Sequence, residues 1–131
     1  MTPTLPALGL VALGGAVGSI ARFALSGWVL QHAVNLRFPL PTLVVNLVGC
    51  LAIGLLAGAA ERSGVLSQEL RLLLISGVLG GFTTFSAFGL ETLNLLRRGE
   101  AGIALAYVTL SVVLGVAMVW VGLNLVPQRP A

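Results

Sequence analysis

Apolar residues run in four long stretches along the chain, at about 5–30, 40–60, 70–96 and 103–126, and most polar residues fall between them. In a helix rising 1.5 Å per residue, roughly 20 apolar residues cross about 30 Å of hydrocarbon. Each stretch therefore predicts a transmembrane helix. The connections, around 35–39, 61–69 and 97–102, are too short to separate domains. Residues 1–131 read as one four-helix transmembrane domain of an all-α membrane protein. No basic segment precedes the first apolar stretch, which leads straight into Arg22; this predicts a retained span rather than a cleaved leader.

Composition sharpens that picture. Of 131 residues, 57% are hydrophobic and 8% charged, against about a quarter charged in soluble domains. So few Asp, Glu, Lys and His residues leave little material for acid/base or metal-dependent catalysis, and no nucleophile stands at a usable spacing from a base. The reading is a non-enzyme. Cys50 is the only cysteine, which excludes an intrachain disulfide and reads as a small packing residue. The net charge of +3 includes seven arginines and no lysine. These are scattered, unlike a nucleic-acid surface, and suit membrane-flanking anchors.

Counted over a four-span chain, Arg62, Arg71 and Arg129 fall on one side and Arg37, Arg97 and Arg98 on the other. Loop arginines normally set orientation, and three against three gives no preference. Either other factors fix the topology, or the chain inserts both ways up. In the second case the natural assembly is an antiparallel homodimer with its two-fold axis in the membrane plane. Glycines four apart, Gly14 and Gly18, Gly54 and Gly58, Gly77 and Gly81, predict closely packed helices.

Polar groups inside a span are costly, and so they carry information. Asn46 lies in the second stretch with Thr42 four residues earlier on the same helical face; its amide serves either an interhelical hydrogen bond or a permeating ion. The third stretch contains Gly80-Gly-Phe-Thr-Thr-Phe-Ser-Ala-Phe-Gly-Leu-Glu91. Paired glycines followed by paired threonines make a poor helix interior, and a break is expected at about 80–84. Unwound backbone at membrane depth is tolerated where protein or a polar cavity satisfies it. Carbonyls from two facing copies would form an oxygen cage for a small cation; the alternative is a kinked, glycine-packed helix.

Phe82, Phe85 and Phe88 recur every three residues, with Ser86 between the last two. A phenyl ring has a positive edge, so rings held edge-on beside hydroxyl and amide donors would bind a small anion without trapping it. The alternative is a stripe facing lipid or core. In the fourth stretch Tyr107 and Ser111 share a face, and the next position on it, Gly115, offers no donor. Arg22 either snorkels to the far interface or pairs with carbonyls at a vestibule. Glu91 either joins a hydroxyl network or is solvated at a span end. His32, near the first connection, reads as an interfacial imidazole.

Three ordered motifs, Gly14-Gly-Ala-Val-Gly-Ser-Ile-Ala-Arg22, Pro41-Thr-Leu-Val-Val-Asn-Leu-Val-Gly49 and 80–91, are similar to those of the small prokaryotic fluoride-channel family called Fluc or CrcB. The resemblance covers all four spans. It implies a multi-pass protein of the prokaryotic inner or plasma membrane, an antiparallel dual-topology homodimer with two pores that exports fluoride passively, and a structural sodium ion. It further implies that Asn46 is the pore asparagine and Phe85 and Phe88 the paired pore phenylalanines. Gly80 and Thr83 would supply the sodium-coordinating carbonyls, and Tyr107 and Ser111 a polar track. Thr42, Ser86 and Glu91 are further matching pore positions, and Arg22 matches the first-span arginine. Some relatives continue the track with serine where this chain has Gly115. The partners implied are fluoride, sodium, membrane lipid and a second copy, with no nucleic acid.

Two other functions fit a small four-span protein. A proton-coupled exporter of lipophilic cations would need a membrane-embedded carboxylate, for which only Glu91 is available. A purely structural subunit would use the glycines and hydroxyls for packing alone.

Overall fold

Helical backbone carries each apolar stretch from end to end, with one interruption. The computed structural model describes residues 3–33, 37–64 and 66–127; Asn35 and Arg129 lie outside them. Helix α1 spans Leu5–His32 and α2 spans Leu40–Ser63. The third span, Gln68–Arg97, has two halves: α3, residues 68–82, and α4, Phe85–Arg97. Thr83 and Thr84 between them are extended, with ψ of 155° and 118°. Helix α5 covers Ala101–Leu125. Among the described residues, four helical segments are long and apolar enough to cross a membrane, and the chain is a multi-pass membrane protein.

Local chemistry sets most ends. Thr4 Oγ1 accepts the Ala7 N–H ahead of α1, and proline stands in the first turn of α1 and α2, where its missing N–H costs nothing. Gly64 closes α2 at φ 58° and Gly99 turns the chain between α4 and α5 at φ 76°, values that favour glycine. Within α3, residues Leu72–Leu79 are wound wider than an α-helix, and the Gly80 N–H reaches the carbonyls of Ile75 and Gly77. Such wide turns are uncommon and often stand beside functional breaks.

Backbone-to-backbone packing of glycines holds the spans in two pairs. Between α1 and α3, a β-carbon on Gly77 would lie 2.9 Å from Gly14 Cα, and one on Gly18 would run into the Val78 carbonyl. Between α2 and α5, a β-carbon on Gly54 would lie 3.0 Å from Gly122 Cα. Lipid is as apolar as leucine, so close van der Waals contact supplies the association that hydrophobic burial supplies in water. All three glycine pairs marked by spacing take part. Gly15, which receives Gly81, and Gly122 are partners that the spacing alone does not mark.

Short connections make consecutive spans antiparallel, so Arg62 and Arg71 share one face and Arg37, Arg97 and Arg98 the other. Arg62 donates to the Val126 carbonyl at the end of α5. Side chains such as Phe23, Trp28, Leu105 and Trp120 point outward and are well exposed, as a surface solvated by lipid requires. Tyr107, Leu95 and Val45 are the largest fully buried side chains.

Candidate functional site

Breaking the third span frees backbone groups at the end of α3 and the start of α4, and neighbouring side chains take up several of them. Asn46, from the middle of α2, makes two bonds to Thr84: its Nδ2 donates to the Thr84 carbonyl at 3.0 Å and its Oδ1 accepts the Thr84 N–H at 2.9 Å. One Nδ2 N–H remains for another acceptor. Arg22 Nε, from α1, donates to the Gly81 carbonyl at 3.1 Å. Of the two readings of Arg22, carbonyl pairing holds, and the guanidinium lies at the depth of the break. The Thr83 N–H and Oγ1–H both go to the Leu79 carbonyl, at 2.9 Å each. Thr84 Oγ1 caps α4 by accepting the Ala87 N–H at 3.3 Å.

The four carbonyls of Gly80, Gly81, Phe82 and Thr83 lose their helical donors in this arrangement. An uninterrupted helix would bring the Thr84 N–H to the Gly80 carbonyl and the Ala87 N–H to the Thr83 carbonyl. Here those N–H groups go to Asn46 and to the Thr84 hydroxyl. Gly80 is exposed, and the nearest atom to a β-carbon on it would be 3.8 Å away. No three His, Cys, Asp or Glu side chains gather among the described residues. What the break offers a cation is backbone oxygen, the donor that replaces water around a hard monovalent ion.

A cleft of about 480 Å³ opens beside the break, between α2, α3, α4 and α5, and Asn46, Gly80, Thr83, Phe85, Phe88 and Ser111 all line it. Its lining carries no formal charge. Phe85 is 81% exposed on its open side, with its ring centroid 5.5 Å from that of Phe88 and the planes tilted by 38°. Ser111 Oγ is buried and has no hydrogen-bond partner among the described residues. The structure thus brings together six of the positions marked in the sequence, from three different spans.

Thr42, Glu91 and Tyr107 form a second cluster, joined to the cleft through Phe88, whose ring is 5.2 Å from that of Tyr107. The Thr42 hydroxyl donates to Glu91 Oε1 and the Tyr107 hydroxyl to Glu91 Oε2, each at 2.7 Å. Glu91 belongs to a hydroxyl network rather than to a solvated span end. The Phe38 ring meets Tyr107 edge-on at 82° and walls this cluster from the connection side. On the opposite side of the break, Arg22 lines a smaller hollow of about 360 Å³ with Ser19, Ser26, Thr42 and Thr84.

The remaining marked positions lie elsewhere. Ser86 is exposed, 3.3 Å from Thr84 Oγ1, and is not part of the cleft wall. Gly115 is buried against Cys50, whose Sγ would be 3.5 Å from an added β-carbon; Cys50 lines the cleft besides packing. His32 is exposed, with Nδ1 2.8 Å from the Trp28 carbonyl. Thr84, whose N–H and carbonyl both bond Asn46, is a site residue that the polar pattern of the span does not mark by itself. A threonine shortly after a glycine pair and three residues before Ala87 is the available cap signal. Gly49 is another such site residue, since a β-carbon there would collide with the Thr83 methyl.

A family model described as CrcB-like protein, Camphor Resistance (CrcB), matches residues 9–123. The chain belongs to the CrcB family. Among its relatives, a protein of Methylobacillus flagellatus named fluoride-specific ion channel FluC is 60% identical over 117 residues, which are 89% of this chain and 91% of the relative. Proteins of the same name from Rhizobium etli and Pseudomonas putida are 50% and 47% identical, over 87% and 88% of this chain and 90% and 92% of theirs. The residues of this CrcB-family chain that build the break and the cleft, from Arg22 to Ser111, all fall inside the matched region.

Proposed function

We propose that this chain is a fluoride-selective channel subunit that lets fluoride leave the cell passively through the plasma membrane, working as an antiparallel homodimer with a structural sodium ion between the two copies. One observation carries the reading: an open cleft with no formal charge, lined by an amide, a partnerless hydroxyl and two phenyl rings, beside a span broken at membrane depth. The names and extensive identity of the relatives support it.

Fluoride is compact and strongly hydrated, so a path through lipid must replace its water with close donors. The free N–H of Asn46, the Ser111 O–H and the ring edges of Phe85 and Phe88 are such donors. None is a full positive charge, so contacts at several weak sites let the ion move on. Chloride is larger and gains less from the same donors. The exposed ring of Phe85 makes the open side of the cleft a natural seat for the second copy. The Gly80 and Thr83 carbonyls, relieved of their helical donors, fit a sodium ion, two from each copy. When bound, sodium supplies a fixed positive charge that ties the two breaks together. Both oxygens of Glu91 are engaged by hydroxyls, which argues against a proton-coupled carboxylate exchanging substrate.

Purified protein in liposomes tests the reading. Under a potassium gradient clamped with valinomycin, fluoride efflux without chloride efflux is expected. Absence of fluoride efflux above that of empty liposomes, from folded protein with sodium present, would remove the proposal.

A further inference from the structure

Asn46 spends two of its hydrogen-bonding groups on Thr84, which is more than an anion-binding amide needs to do. The consequence lies four residues back. The Thr84 N–H is the group that an unbroken helix would deliver to the Gly80 carbonyl, and Asn46 Oδ1 holds it at 2.9 Å instead. A partly buried N–H does not stay unpaired, because losing its partner costs its full desolvation. Without Asn46 Oδ1, the acceptor nearest along the chain is the Gly80 carbonyl, and α3 would wind on by one residue.

We infer that Asn46 is the positioning residue for the cation site: by drawing the Thr84 N–H onto Oδ1 it releases the Gly80 carbonyl to coordinate sodium, so one side chain serves both the anion path and the cation. The neighbouring groups are arranged consistently. The Gly81 carbonyl is occupied by Arg22 on the side facing α1, and the Leu79 carbonyl by Thr83. Gly80 and Thr83 are the break residues left facing the cleft with unclaimed carbonyls, and Thr83 owes this to the Thr84 hydroxyl, which takes the Ala87 N–H. The assignment rests on the structural sodium proposed above.

The two functions of the amide separate by substitution. Asn46→Asp keeps an oxygen that accepts the Thr84 N–H but replaces the amide NH2, which donates to the Thr84 carbonyl and offers its second N–H to an anion, by a carboxylate oxygen. Asn46→Ala removes both. The measurement is thermal unfolding of the purified full chain in detergent as sodium chloride is titrated at constant ionic strength against potassium chloride, with fluoride efflux measured in parallel. Sodium stabilisation is expected in wild type and in Asn46→Asp, with efflux lost in Asn46→Asp. In Asn46→Ala, half-maximal stabilisation should need about ten-fold more sodium or disappear. Equal sodium dependence in wild type and Asn46→Ala would overturn the inference and leave the sodium reading intact. So would folded Asn46→Asp that no longer responds to sodium, which keeps the test decisive if Asn46→Ala does not fold. A wild type indifferent to sodium would instead remove the sodium reading, and the inference with it.

Discussion

Tyr107 and Glu91, sixteen residues apart on α5 and α4, meet in a 2.7 Å hydrogen bond whose tyrosine is fully buried. The phenol holds one carboxylate oxygen while Thr42 holds the other, so three spans are pinned at one side chain. Tyr107→Phe keeps the ring contacts with Phe38 and Phe88 and removes the donor. The Glu91 oxygen is then left unpaired, at a cost of about 1–3 kcal/mol. A lower unfolding temperature in detergent is the expected result, and an unchanged one would show that the bond contributes nothing.

Glycine contacts give a sharper stability contrast. Gly77→Ala places a methyl 2.9 Å from Gly14 Cα, and overpacking of this kind costs about 1–3 kcal/mol. Gly9→Ala, on α1 like Gly14, meets nothing within 4 Å and should stay within about 0.5 kcal/mol of wild type. Unfolding of both variants in detergent decides; equal stabilities would contradict the packing between α1 and α3.

Ser111 separates transport from folding. Its Oγ has no hydrogen-bond partner among the described residues, so Ser111→Ala should leave stability within about 0.5 kcal/mol. If that hydroxyl serves the permeating ion, fluoride efflux should fall by about ten-fold. One turn further along α5, Gly115→Ser has room, since its β-carbon would stand at an ordinary 3.5 Å from Cys50 Sγ. That variant should fold normally and carry fluoride at least as fast as wild type.

Phe85→Ile tests the ring edges. The side chain is 81% exposed, so an aliphatic replacement of similar bulk disturbs little of the fold within one chain. Losing the positive ring edge should lower fluoride efflux by about ten-fold. Unchanged flux and selectivity would assign the ring to packing between copies.

Much of this architecture is legible in the sequence because lipid imposes a simple rule: a span must be long, apolar and hydrogen-bonded within itself. The four spans and a break somewhere in 80–84 follow from that rule and from two glycines close before two threonines; that Gly80–Phe82 stay helical and only Thr83 and Thr84 unwind does not. The glycine spacing also marks which faces pack. It leaves out Gly15 and Gly122, because a contact across helices is set by the partner's register, which spacing within one helix does not contain.

What the tertiary structure alone decided is where each polar group spends its hydrogen bonds. From the sequence, Asn46 could serve packing or an ion, Arg22 could snorkel or pair with a carbonyl, and Glu91 could be solvated or networked. Each pair of options differs by partners 16 to 59 residues away along the chain. Hydropathy records only that a polar group is present at a given depth. Which donor meets which acceptor depends on the helices having packed, and the freed Gly80 and Thr83 carbonyls are a product of that packing.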